Sequence, residues 1–314
     1  MTRTLGFMSQ VTVETFEELR PLLFSISYRM LGSAAEAEDI VQEAFVRYHH
    51  ALDQGTEIES PKAYLSAAAT RLAIDQLRSA RRRREQYVGT WLPEPLLTTA
   101  GAEPDVAARV ESAESLSLAF LVVLESLSPV ERAVFLLHDV FDFGYDEIAE
   151  IVERSADNCR QIAVRARRRV EERKPRFEAS RRKRDELARR FLAAIELGDT
   201  DGLVGMLAHD VVLYGDGGGK APAISRPVEG AKQVATVLVG WSKIAVRTGM
   251  QLEFVEVNGQ PGLRAFDAEG RLLSVAAFDI ADGVVWAVRS VVNPEKLAHL
   301  GPVGDAWEAF HARP

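Results

Sequence analysis

The chain has 314 residues, with 38 Lys and Arg against 46 Asp and Glu, a formal net charge of −8 and 47% hydrophobic residues. That is room for about two domains with separate cores, and the composition excludes wholesale disorder and collagen-like repeats. One cysteine, Cys159, excludes an internal disulfide and a multi-cysteine metal site.

The apolar stretch near Ala119–Leu124 is too short for a membrane span, and residues 1–10 lack a signal-peptide pattern, so a cytoplasmic protein with no membrane partner is expected. Charge is unevenly spread. Residues 1–60 hold 4 basic and 10 acidic side chains, whereas residues 160–190 hold 14 basic and 5 acidic. With the run Arg81–Arg84, this gives two dense arginine foci on an acidic chain, a pattern that favours local polyanion contact.

Phe16, Leu19, Leu22, Leu23, Ile26 and Met30 recur at spacings of three and four and predict a helix ending at Gly32. Ser33–Glu36 forms a capping box for a second helix, with Ile40, Val41, Ala44 and Phe45 on one side and Glu36, Asp39, Gln42 and Glu43 toward the other. Ser60-Pro61 opens a third helix, through Tyr64, Leu65, Ala68, Leu72 and Leu77 into the arginines. From Val88 to Pro104 the prolines break the pattern into a linker in which Trp91 is placed to dock. Helices are expected again from Asp105, and Ser128-Pro129-Val130-Glu131 caps another. A turn at Phe143-Gly144, a helix Tyr145–Val152, a break at Arg154 and a helix capped by Ser155 complete a helix-turn-helix. In its second helix, Asp157, Asn158, Arg160, Gln161 and Arg165 are candidates for base edges, and Arg167, Arg168 and Arg169 for phosphates.

Beyond residue 181 a helix ends at Gly198 and a short one covers about 201–208. Strands follow at 211–215, 252–257, 263–266, 272–280 and 284–292, with a helix over 231–244 among them. Asn258-Gly259, Glu269-Gly270 and Asp282-Gly283 join the last four strands as an antiparallel meander.

Three motifs carry a resemblance. Ala37-Glu38-Asp39-Ile40-Val41-Gln42-Glu43-Ala44-Phe45, Ala63-Tyr64-Leu65 with Leu72–Arg78, and Leu127–Arg132 with Tyr145–Ala149 and Arg165-Ala166-Arg167 stand in the order found in extracytoplasmic-function (ECF) sigma factors, and residues 13–175 resemble that family. The resemblance implies binding to core RNA polymerase through Glu36, Asp39, Gln42 and Glu43. It also implies promoter −10 recognition and melting through Tyr64, Arg71, Arg78, Arg81 and Arg82, and −35 reading through Asp157, Asn158, Arg160, Gln161, Arg165 and Arg168. The family often has tryptophan near 63 or 64 and asparagine near 71; Ala63, Tyr64 and Arg71 depart from this, so the promoter sequence is not carried over.

The C-terminal part resembles a SnoaL-like domain at Leu187–Gly198, Ala208–Val211 and Arg226–Gly230, and the whole chain resembles a sigma-J-like subgroup carrying this extension. Its marks are Trp91–Leu96, Asp216–Lys220 and Asn293–Leu297. Asp216-Gly217-Gly218-Gly219-Lys220 lacks phosphate-loop spacing, and its glycines suit close backbone approach. Trp91, Asp216, Gly217, Gly218, Gly219, Lys220, Asn293, Pro294 and Lys296 are therefore expected to form an internal regulatory interface. His209, Asp210, Tyr214 and Asp216 are the local acid–base candidates, but no catalytic set, metal site or cofactor is expected. The expected fold is two all-α modules, region 2 over 10–87 and region 4 over 105–178, joined by linker 88–104. An α+β cone with a curled antiparallel sheet over 183–300 and a tail over 301–314 follow. The expected function is an ECF sigma factor controlled in cis, with core polymerase, promoter DNA and an unidentified pocket ligand as partners. The alternative is a SnoaL-type isomerase, hydrolase or ligand sensor tethered to a DNA-binding module.

Overall fold

The computed structural model describes residues 2–98, 113–173 and 180–311, with side chains from 14–79, 86–98, 115–173 and 180–311. The helix start expected at Asp105 lies outside the described residues. The described chain divides into two compact units, one holding residues 2–83 and 123–173, the other 84–98, 113–122 and 180–311.

In the first unit α1 (Thr2–Leu31) stops where Gly32 adopts φ 68°, a conformation open to glycine. Ser33 caps α2 (Ala34–Asp53), its hydroxyl accepting the Glu36 N–H at 3.2 Å. Ile40, Val41, Ala44 and Phe45 are buried, and the Phe16 and Phe45 rings meet edge-on at 4.5 Å between centroids. Pro61 opens α3 (Pro61–Glu85). After α4 (Ala113–Leu116) and α5 (Leu118–Leu124), α6 (Pro129–Phe135) begins with the full Ser128–Glu131 capping box and widens into a π-helical turn, Leu136–Val140. Burial pushes the Glu131 carboxyl upward, but the Ser128 N–H and hydroxyl and the Arg169 guanidinium outweigh it and hold the group below its ordinary range. Helices α7 (Tyr145–Val152) and α8 (Ala156–Glu171) follow, separated by Glu153 in the left-handed region at φ 55°.

Arg132, 3% exposed, fastens α6 to its surroundings. Its guanidinium donates to the carbonyls of Met30 and Leu124, each at 2.6 Å, and pairs with Glu125 at 2.8 Å. Met30 stands in the last turn of α1, where carbonyls have no intrahelical partner.

The second unit is built on a six-stranded sheet in the order β2-β1-β6-β5-β4-β3. The strands are β1 (Leu207–Asp216), β2 (Val228–Glu229), β3 (Gln251–Val257), β4 (Gln260–Phe266), β5 (Leu272–Ala281) and β6 (Val284–Val291). β3 to β6 form the expected antiparallel meander. β1 differs: it pairs with β6 in parallel, Tyr214 opposite Arg289, so the sheet is mixed. Turn dipeptides specify only strands adjacent in sequence, whereas β1 and β6 are separated in the chain by β2, a helix and β3 to β5. α9 (Arg181–Leu197), α10 (Thr200–Met206) and α11 (Ala231–Thr248) pack on one face, and Phe191 meets Phe278 at 5.4 Å in a core with Leu213, Val234 and Val288. The short α12 (Pro294–Leu297) follows β6. Residues 301–314, expected as a tail, include α13 (Ala306–His311), which buries Ala306 against Ala221, Leu273 and Val292. A six-residue helix is too short for its apolar period to stand out.

Replacing Arg132 by Leu strands the Met30 carbonyl, removes one of two donors to the Leu124 carbonyl and leaves Glu125 without this guanidinium, and is expected to cost about 2–4 kcal/mol. Urea denaturation of the full chain measures this as a fall in midpoint at unchanged slope.

Candidate functional site

On α2, Asp39, Gln42 and Glu43 are exposed, and Glu43 pairs with Arg47 one turn on. Glu36 is half-buried and accepts the Gln76 side-chain amide at 3.1 Å, which ties it to α3. Val46 stands exposed one turn beyond Gln42 and Glu43 and completes an acidic face with an apolar end. Sequence reading passed over Val46, although its i+3 and i+4 spacing places it there.

On α8, Asp157, Arg160, Gln161, Arg165 and Arg168 are exposed, while Asn158 is half-buried and gives its N–H to the Ser155 cap. Arg160 pairs with Asp157 at 2.6 Å and Arg168 with Glu172 at 3.0 Å. Arg167 and Arg169 turn back into the module, the first onto Asp139 and the Tyr145 hydroxyl, the second onto both Glu131 oxygens. They brace the helix against α6 and α7, where phosphate contact was expected. Val164, 62% exposed, lies in the middle of the arginine-rich face. Apolar side chains there suit the thymine methyl in a major groove.

On α3, Arg78 pairs with Asp75 and Tyr64 packs on Tyr48 at 5.8 Å. The side chains of Arg81 and Arg82 lie outside the described residues. Arg71 donates to the carbonyls of Ile151 at 3.0 Å and Glu150 at 2.7 Å, at the end of α7. A cation on the last carbonyls of a helix is favoured by their partial negative charge. Lys62 adds a contact over the Phe143 ring at 5.8 Å. The helix expected at the −10 element thus rests on the module expected at the −35 element.

The second unit brings the regulatory candidates together around one carboxylate. Asp216 is fully buried, and its side chain accepts from the Tyr87 hydroxyl, from the Leu92 N–H at 2.7 Å and from Lys296 Nζ at 2.7 Å. Lys296 also donates to the Leu92 carbonyl and stands over the Trp91 ring at 4.4 Å and the Tyr87 ring at 4.8 Å. Burial, and then the hydrogen bond and charge of Asp216, push the Tyr87 phenol far above its ordinary value, so it remains a donor. Asn293 donates to the Tyr87 oxygen at 2.8 Å and caps α12, with Pro294 at its first position; Lys220 pairs with Glu295. Downstream, Leu96 exchanges hydrogen bonds with Asn258, both at 2.8 Å, and Leu97 bridges Val257. The linker thereby covers part of an edge strand.

The glycines explain how the linker lies so close. A Cβ at Gly218, where φ is 58°, would meet Asn293 Nδ2 at 2.3 Å and the Tyr87 oxygen at 2.7 Å. One at Gly217 would meet the Ala221 carbonyl at 2.4 Å, and one at Gly219 would touch Val88 at 3.3 Å.

A cavity of about 100 Å³ opens between the sheet and α11, lined by groups such as Leu238, Trp241, Met250, Leu263 and Phe278. Among the described residues, none of those that line it is ionisable. The acid–base candidates are elsewhere. His209 and Asp210 are exposed, Asp216 holds the linker, and Tyr214 lies beneath Arg289 at 4.7 Å. Arg289 in turn pairs with Asp279, whose pKa burial raises against the pull of that guanidinium.

Two families match parts of the chain: Sigma-70 region 2 over residues 15–83 and Sigma-70 region 4 over residues 117–170. The chain is 38% identical over 296 residues to the ECF RNA polymerase sigma factor SigJ of Mycobacterium tuberculosis, spanning 91% of this chain and 93% of that protein. It is 33% identical over 284 residues to the probable ECF RNA polymerase sigma factor SigI of the same species, spanning 90% and 93%. The crystal structure of M. tuberculosis SigJ superposes with a TM-score of 0.72 at 36% identity, covering 91% of this chain and 98% of that one.

Gly218→Ala is expected to release the linker, raising amide exchange across residues 86–98 about tenfold or more. Gly270→Ala is the control: φ is 79° there too, but nothing lies within 4 Å of the added Cβ, and linker exchange should not change.

Proposed function

The chain belongs to the extracytoplasmic-function RNA polymerase sigma factors, and on that premise we propose how its parts divide the work of initiating transcription. The α2 face of Asp39, Gln42, Glu43 and Val46 docks on core polymerase. Helix α3 holds and melts the −10 element, its arginines supplying the cationic surface that single-stranded bases need. Helix α8 reads the −35 element through Arg160, Gln161, Val164 and Arg165, with Arg168 on phosphate.

The single observation that carries the regulatory part is the burial of Asp216 against the linker. Two promoter elements about 25 base pairs apart lie about 85 Å apart along B-form DNA. A helix and a module in direct contact through Arg71 do not reach both. Engagement therefore requires α3 to leave α7 and the linker to pay out. Residues 87–98, about 40 Å when extended, are held by the C-terminal unit at Asp216 and at Asn258. By retaining or releasing that length, the C-terminal unit sets sigma activity in cis. The cavity serves binding of a small molecule, a reading supported by a described lining that offers no ionisable side chain for proton transfer.

In vitro transcription with bacterial core polymerase on the chain's own upstream region tests this. Asp39→Lys with Glu43→Lys should abolish transcripts while DNA contact persists; undiminished transcription would remove the docking face. Asp216→Asn leaves Lys296 without its counter-charge and should change transcript yield at least fivefold. A yield equal to wild type would refute control through the linker. Arg71→Ala should raise the fraction of molecules with α3 and α8 far apart about tenfold, read by energy transfer between dyes on the two helices.

A further inference from the structure

We propose that the C-terminal cavity takes a compact, neutral, ring-sized molecule and that its occupancy is passed to the linker through the Gly217–Gly219 turn. The second half rests on the cis-control reading above; the first does not.

The lining selects the ligand class. Among the described lining residues the polar side-chain groups are the hydroxyls of Ser242, Ser274 and Ser290 and the indole N–H of Trp241, and none is charged. An ionic ligand would give up its hydration with no counter-charge to meet it. A neutral apolar molecule gains from every surface it buries, and one hydroxyl or carbonyl on it would find the serines. The space exists because small residues stand where larger ones would fill it: Gly215, Ala245, Ala265 and Ala276. Native interiors rarely leave such voids. An engineered cavity of about 150 Å³ accepts benzene. This one, at about 100 Å³, is smaller, so even one ring must displace part of the wall.

The wall that yields most easily is the one that holds the linker. The strand walls are fixed by ladder bonds on β4, β5 and β6. Pro222, Ala223 and Ile224 belong to no strand or helix. Ile224 rests on Gly215, where a Cβ would meet it at 2.6 Å, and Ala223 rests on Gly217, at 2.9 Å from such a Cβ. The Gly217 carbonyl accepts from Lys220 and Ala221, which closes the turn on which Tyr87 and Val88 lie. The alternation of β-structure finishes the connection. Gly215 lines the cavity and Asp216 holds the linker; Val292 lines the cavity and Asn293 holds Tyr87. Outward movement of 222–224 therefore draws the Gly217–Gly219 turn off Tyr87 and loosens the linker.

The test uses the full chain without polymerase and p-cresol as the probe, with 4-hydroxybenzoate as its charged counterpart. Calorimetry should show p-cresol binding below about 1 mM and no binding of the benzoate. Saturating p-cresol should raise amide exchange over residues 86–98 at least fivefold. Ala276→Phe, which fills the cavity, should abolish binding and the exchange response together; Ala245→Leu is a second filling variant should the first not fold. Failure of p-cresol to bind, or equal binding by the benzoate, overturns the ligand class. Binding with unchanged linker exchange overturns the coupling. Neither readout involves transcription, so failure of cis control, seen as an unaltered Asp216→Asn yield, is distinguishable from both.

Discussion

One buried carboxylate organises the C-terminal unit. Asp216 has no contact with water, and an ionised group in that position persists only when its charge and lone pairs are answered. Lys296 answers the charge; the Tyr87 hydroxyl and the Leu92 N–H answer the remaining lone pairs. Two of the three donors, Tyr87 at the head of the linker and Leu92 within it, come from this segment, so it is a structural part of the unit. The triple glycine, the Asn293 cap and the aromatic faces over Lys296 are then consequences: each lets backbone or cation come near enough for that set of bonds to close. Without the linker, Asp216 would lose the Tyr87 and Leu92 donors, which couples the fold of this unit to the position of that segment.

The helical unit uses arginine in two ways, and only the geometry separates them. Arg132, Arg167 and Arg169 bind carbonyls and carboxylates of neighbouring elements and hold α6, α7 and α8 in register. Arg160, Arg165 and Arg168 face outward on α8. Arg71 belongs to neither set. Exposed on α3, it is drawn to the carbonyl end of α7 by the same dipole that elsewhere caps helices. Such a bond is modest in water, which suits the proposed release of α3 from α7.

Much was legible from local chemistry. The caps at Ser33, Ser128 and Ser155 and the stops at Gly32 and Gly198 are visible because a cap needs only residues three or four apart. The apolar faces of α2 and α8 follow from helical period, and the meander from three turn dipeptides. The motif order is similar to a known family, and the relatives across nearly the whole length place the chain in it.

The sequence by itself determined the helices, the meander, the modular order and the residue types at the candidate sites, because those depend on neighbours within a turn or two of chain. Tertiary structure alone decided the parallel pairing of β1 with β6, the helix α13 within the supposed tail, the pairing of Arg167 with Asp139 and of Arg169 with Glu131, and the meeting of Arg71 with α7. The resemblance implied an interface of Trp91 with Asp216, Asn293 and Lys296; tertiary structure alone added Tyr87 and Leu92 and made Asp216 its buried centre. Such contacts are set by how a cavity, a sheet edge or a buried charge is satisfied in three dimensions, and nothing in local propensity records which distant partner will do it.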